Sequence, residues 1–435
     1  MDGIKAFVFT LGCSKNQVDS EEIMGELVSR GAFITADPNE AEVVIVNTCG
    51  FIESAKTESL DTVFELSKLK EQSCRLLVVC GCLTERYYEE LREELPEADL
   101  IWGVKDHAGL ADAISQRLTG EFSKTGCVSE RVLTTPPYRA YLRIADGCDN
   151  RCTYCAIPII RGGRVSVPME KLLDEARGLA ERGVRELTVI AQDTSAYGAD
   201  IYARPMLAEL LTELSKIEKL HWIRLLYTYP NTVDERLIDT ISANPKLMNY
   251  IDMPIQHIDP ELLKRMNRHG TAEHIREITD YIRRVSPDFI LRTTAIVGFP
   301  GETEEQFEEL LRFFSEHPYD RVGAFTYSPE DGTPAALMPD QIPEKVKKRR
   351  YDRLMRAQMP VSLEANRRRV GSVCEVLVDG AENGAALCRS YAEAPDVDGL
   401  IKVRVTDGRA IEPGAFRFVR ITKAHTYDLE AEFID

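Results

Sequence analysis

Short apolar runs alternate with amphipathic helical stretches twice along this chain, and that alternation restricts it to parallel sheets covered by helices. Before residue ~130, segments 6–11, 42–46 and 76–79 read as strands, and 19–29 and 53–69 as helices. A polar stretch at 134–138, containing Pro136 and Pro137, marks a boundary. The alternation then restarts, with strands expected at 140–144, 187–191, 223–227, 250–253, 291–297 and 323–327. Helical patterns at 169–181, 206–217 and 304–315 lie among them. Six β/α units are fewer than the eight that close a barrel of roughly 250 residues, so an open, partial barrel is expected. A basic helical segment, 344–369, follows; its charges read as a solvated face, with contact to RNA as the alternative. After Gly371 the period becomes two, with strands at 374–378, 400–405 and 416–424, which fits a small β-barrel. The expected fold class is α/β with three domains: 1–132 with a parallel sheet, 138–366 with a partial (β/α)6 barrel, and 370–435 as the β-barrel.

The chain carries 71 acidic and 54 basic side chains, for a formal charge of −17. Such a surface repels a phosphate backbone unless it bears a local basic patch, and suits a basic protein partner better. No apolar run approaches the roughly 18 residues of a membrane helix. The first residues, Met-Asp-Gly-Ile-Lys, lack the regions of a signal peptide, so no membrane partner and a cytoplasmic location are expected. Thiols stay reduced there, and the eleven cysteines call for metal binding, catalysis or burial rather than disulfides.

Cys148, Cys152 and Cys155 form C-x3-C-x2-C directly after the first strand of the second domain. Loops at the carboxyl ends of barrel strands are where active sites sit. Three thiolates can hold three irons of a 4Fe–4S cluster and leave the fourth open to a ligand. A zinc site or three unrelated loop cysteines is the plain alternative, and neither explains three cysteines with no local fourth ligand at such a position.

Cys13, Cys49 and Cys82 each come within three residues of a strand end in the first domain. Loops at the carboxyl ends of an open parallel sheet line one crevice, so these cysteines are expected to converge and hold a second cluster with an open iron. Burial as small hydrophobes is the alternative for any one of them. Cys80 is a rival third ligand, which strand-end geometry barely separates from Cys82. Cys74, Cys127, Cys374 and Cys388 lack ligand-like surroundings, and the seven histidines show no metal-binding spacing.

The two cysteine sets, with their local motifs, resemble the radical S-adenosylmethionine (SAM) methylthiotransferases over essentially the whole chain. That resemblance implies two 4Fe–4S clusters and SAM as cofactors. One SAM methylates a sulfur held by the second cluster, and another yields a 5′-deoxyadenosyl radical at the first. The clusters rather than side chains carry this chemistry, so no catalytic residue is expected beyond the ligands. The family's Gly-Cys-Leu pattern selects Cys82 over Cys80. Tyr154 matches the position that packs on adenine, and 296–303, with Gly298, looks like the adenine-contacting strand and turn. Gln192, Gln256 and Arg292 are expected at strand ends where the cofactor's polar groups would be held. An electron donor and a sulfur donor are implied partners.

Most of this family modifies tRNA adenosine, whereas a second branch, the RimO proteins, modifies an aspartate β-carbon on the small-subunit ribosomal protein numbered twelve. Segment 389–399 resembles the acidic signature of that branch's C-terminal TRAM domain. Residues 371–435 hold seven basic and twelve acidic side chains, where an RNA-binding barrel should be basic. The segment 254–258 also resembles this branch. Cys388 departs from the glycine expected before Arg389. The resemblance therefore implies a ribosomal-protein substrate, with Glu393, Asp396 and Asp398 expected to steer it electrostatically. A tRNA-adenosine enzyme is the first alternative, with tRNA as partner only then. A non-enzymatic iron–sulfur carrier or sensor is the alternative of another class.

Overall fold

The computed structural model describes Met1 and residues 3–120, 130–405 and 411–434; Cys127 lies outside them. The first domain is a five-stranded parallel sheet. Across it, Phe33–Ile34 lies beside Lys5–Thr10, followed by Val43–Thr48, Leu76–Gly81 and Leu100–Ile101. Val43–Thr48 and Leu76–Gly81 are buried throughout, as central parallel strands must be when helices cover both faces. Strand alternation sends Ile45 and Val78 to one face, with Ile23, Leu27, Leu110 and Ile114, and Val46 and Leu77 to the other, with Val63 and Leu91.

The central domain has six parallel strands in chain order, hydrogen-bonded in two groups of three. Arg139–Arg143, Glu186–Ile190 and Trp222–Leu225 make the first; Tyr250–Asp252, Ile290–Val297 and Arg321–Thr326 the second. The arc does not close into a full barrel, and helices such as Met169–Glu181 and Glu304–Glu316 cover its outer face. The basic helix Glu344–Arg367 packs on the strand Arg321–Thr326; Lys347 and Arg350 are buried on that side, with Arg350 paired to Glu302 at 2.7 Å. The C-terminal strands close a five-stranded barrel. Cys388, with no exposed surface, fills part of its core beside Val376 and Ile401, which accounts for a cysteine there.

Two of the three acids in this barrel's signature face inward and the third is paired, against the expectation that they steer a partner. Glu393 is buried against Arg369 and accepts from Ser390 Oγ at 2.6 Å. Asp398 is nearly inaccessible and accepts from Tyr250 Oη at 2.7 Å. Asp396 has an exposed side chain but is paired with Arg139 at 3.0 Å. These carboxylates hold the barrel to the central domain, because a carboxylate leaving water needs charged or hydrogen-bonding partners. Arg389 extends the same seam, giving Glu186 two hydrogen bonds of 3.0 and 2.7 Å, while Arg224 reaches Glu186 and the carbonyls of Ser390 and Tyr391.

Burial alone would raise the Glu186 pKa, but Arg389 and Arg224 bring it down from 4.5 to about 2. A depressed native value means that this carboxylate contributes fully above pH 4.5 and loses its contribution as pH falls toward 2. Glu186→Gln leaves two guanidinium groups short of a buried partner and should destabilise the fold by about 3–5 kcal/mol. Urea unfolding followed by Trp222 fluorescence checks this, since that ring lies 5.0 Å from Phe416 of the barrel. An unmoved midpoint would contradict it.

Candidate active site

Cys13, Cys49 and Cys82 follow the carboxyl ends of the first, third and fourth strands of the N-terminal sheet. The strand order reverses direction between the first and third strands, and such a switch point opens a crevice at the carboxyl end. Asn16, buried, ties the three loops together. Its Nδ2 donates to the carbonyls of Leu11 and Thr48, both at 3.0 Å, and its Oδ1 accepts from Cys82 Sγ at 3.3 Å. Close approach explains two glycines: a Cβ on Gly12 (φ +90°) would lie 3.0 Å from Cys49 Sγ, and one on Gly50 2.6 Å from the Leu83 Cα.

Across the cavity, the loop carrying Cys148, Cys152 and Cys155 follows the first barrel strand. Thr153 anchors it, donating through its backbone N–H to Met266 O at 2.9 Å and through its hydroxyl to Arg265 O at 3.0 Å. Arg268 donates to Tyr154 Oη at 2.9 Å and to Pro254 O at 2.6 Å. Arg161 links the two sets of cysteines. It pairs with Asp19 at 2.6 Å and Asp146 at 3.2 Å, donates to Asn16 Oδ1 at 2.8 Å, and lies 3.5 Å from Cys82 Sγ.

All six cysteines line one cavity of about 610 Å³, and all are free thiols. Burial pushes Cys82 up to about 12 against the opposing pull of Arg161, Cys155 to about 12 and Cys148 to about 11; it raises Cys49 too. Such thiols keep their protons at neutral pH until a metal displaces them. One tetrahedral zinc at 2.3 Å would require sulfurs about 3.8 Å apart. Among the described residues, the only three metal-ligating atoms within 4.8 Å of one another belong to Asp19, Glu22 and His107. Those three sit in an ion-pair network with Arg143 and Arg161 instead. No three of the six sulfurs therefore stand close enough together to share one tetrahedral ion, a restriction that a cluster, whose irons stand apart, does not impose. Room for a polar organic ligand is visible as well: Oε1 of Gln192 and of Gln256 are buried without a hydrogen-bond partner, and both side chains line the cavity with Tyr154.

Two expected cofactor contacts are not brought there. Arg292 stands near the start of its strand rather than at the end, and its guanidinium is taken up by Asp252 at 2.6 Å and Asp398 at 3.7 Å. Gly298 follows that strand but faces away from the cavity; a Cβ there would lie 3.1 Å from Lys347 Cβ. Cys80 is also elsewhere. It shares the strand face of Leu76 and Val78, packs in the core beneath the helix Ser14–Ser29, and is nearly inaccessible. Conversely, Lys15, Asn16, Arg161, Tyr227 and Arg268 line the cavity without having been expected there. The proximity of Lys15 and Asn16 to Cys13, and of Arg161 to Cys155, was the available signal. Tyr227 carries φ +62°, an uncommon and strained conformation for an aromatic residue that often marks a functional site.

Family models for the Radical SAM superfamily match residues 142–314, for Uncharacterized protein family UPF0004 residues 5–103, and for the TRAM domain residues 370–434. The chain is 44% identical over 434 residues to ribosomal protein uS12 methylthiotransferase RimO of Thermoanaerobacter sp. (strain X514), covering 98% of this chain and 99% of the relative. It is 46% identical to the protein of that name from Geobacter sulfurreducens, covering 99% and 98%. Among solved structures, the fold is similar to the radical SAM methyltransferase TsrM from Kitasatospora setae, with TM-score 0.54, 17% identity and 78% and 77% of the two chains covered.

Proposed function

The chain belongs to the RimO family of radical-SAM methylthiotransferases, and from that premise we propose that it places a methylthio group on the β-carbon of an aspartate in ribosomal protein uS12. The observation that carries the reading is the single cavity lined by two sets of three free cysteines. Cys148, Cys152 and Cys155 would hold one 4Fe–4S cluster, and Cys13, Cys49 and Cys82 a second. When bound, the first cluster and SAM supply a hydrogen-abstracting carbon radical, and the second cluster supplies the sulfur. An unactivated carbon has no acidic proton and no leaving group, which is why such cofactors are needed.

The chain's own residues position and enclose. Tyr154 would lie against bound SAM, and the unpartnered Oε1 atoms of Gln192 and Gln256, which line the same cavity, would accept from its ammonium or hydroxyl groups. Asn16 and Arg161 fix Cys82 toward the cavity, and Arg161 locks the N-terminal domain to the barrel loop through Asp19 and Asp146. The reaction also requires an electron donor and a source of sulfur as partners. Among the described residues no helix is long and apolar enough to cross a membrane. We place the enzyme in the cytoplasm, with the ribosomal protein it modifies.

The test is mass spectrometry of ribosomal proteins and tRNA from cells with and without this protein. The uS12 peptide should lose one methylthio group in its absence, and tRNA should be unchanged. Loss of a methylthio group from tRNA adenosine with uS12 unaltered would reject the reading.

A further inference from the structure

Lys15 stands apart from most charges around the cavity. It is 8% exposed and lines the cavity, yet among the described residues no carboxylate lies within ion-pairing distance of its Nζ. The ammonium instead rests 3.4 Å from the centroid of the Tyr227 ring. Arg161 and Arg143, by contrast, are each paired with two acids. Removing an ammonium from water without an anionic partner is costly, and an aromatic face offsets only part of that cost. Lys15 also lies in the first turn of the helix Ser14–Ser29, the end that favours negative rather than positive charge. Both observations point to an anion that enters from outside the chain.

Two carboxylates could enter this cavity, that of SAM and that of the substrate. The opposite wall already holds a cation with no carboxylate among the described residues within ion-pairing distance: Arg268, which lies beside Tyr154 and 3.9 Å from Cys152 Sγ, at the cysteine loop where SAM would bind. Lys15 belongs to the other wall, two residues from Cys13. Resting on the function proposed above, we infer that Lys15 receives the side-chain carboxylate of the substrate aspartate. That carboxylate is one bond from the β-carbon, so the two must enter the cavity together. Held between Lys15 and the helix N-terminus, it fixes the β-carbon between the two cysteine sets and discriminates aspartate from its amide. The role is one of positioning and specificity.

The test measures the affinity of cluster-reconstituted full-length protein for purified uS12 carrying its native aspartate or asparagine at the target position. The wild-type protein should prefer aspartate by at least about tenfold. Lys15→Met should reduce that preference to about one, and Lys15→Arg, which keeps the charge, should retain most of it. Because each protein supplies its own ratio, a smaller active fraction in a variant does not alter the readout. Preference retained in Lys15→Met overturns the inference. So does weakened SAM binding in Lys15→Met with the preference intact, which would assign Lys15 to the cofactor carboxylate. Wild-type protein that binds no uS12 of either kind would overturn the functional reading itself.

Discussion

Anaerobic reconstitution of the full-length protein with iron and sulfide should saturate at about eight irons per chain, as two 4Fe–4S clusters require. The expectation rests on placement: six free thiols at one cavity, in two sets supplied by different domains. Each set has three thiolates, enough to hold a cluster while leaving one iron open. Replacing Cys148, Cys152 and Cys155 with alanine should leave about four irons, and so should replacing Cys13, Cys49 and Cys82. The ligands are not shared, so each loss should leave the other cluster's spectrum in place. Saturation of the wild-type protein at about four irons, with no second cluster by Mössbauer spectroscopy, would contradict the two-cluster reading.

Much of this arrangement is legible in the sequence because two simple signals coincide. Apolar runs long enough to be central strands announce both parallel sheets, and cysteines just beyond their ends fall in loops that a parallel sheet gathers at one edge. The edge strands Phe33–Ile34 and Leu100–Ile101 are too short to leave such a run. The two barrel strands Ala385–Arg389 and Leu429–Phe433 escape for similar reasons, being short and only partly apolar. Charge is read less well. From composition, Glu393 and Asp398 look like surface acids, but their partners Arg369 and Tyr250 are supplied by other elements of the fold. The neighbouring pair Arg389 and Glu186 spans 203 residues. No local pattern distinguishes a carboxylate facing water from one clamped between domains. The same limit conceals Lys15, whose significance depends on there being, among the described residues, no carboxylate within ion-pairing distance of its ammonium. Alternation gives Cys80 and Cys82 the same parity, and only the strand's extent separates them: Cys80 continues the core-facing row of Leu76 and Val78, and Cys82 lies beyond the strand.

Cleavage of SAM and transfer of the methylthio group should come apart when the two cysteine sets are altered separately. Cys148→Ala removes one of three thiolates from the loop proposed to hold the SAM-binding cluster, and should abolish formation of 5′-deoxyadenosine along with methylthiolation. Cys80→Ala should change neither, because that side chain is packed under the helix Ser14–Ser29 away from the cavity; its effect should be confined to a modest loss of stability. The decisive protein is the one in which Cys13, Cys49 and Cys82 are all alanine. Incubated anaerobically with reductant, SAM and purified uS12, it should still produce 5′-deoxyadenosine while mass spectrometry finds no methylthio group on the aspartate of uS12. Methylthiolated uS12 from that variant would contradict the division of labour between the two cysteine sets.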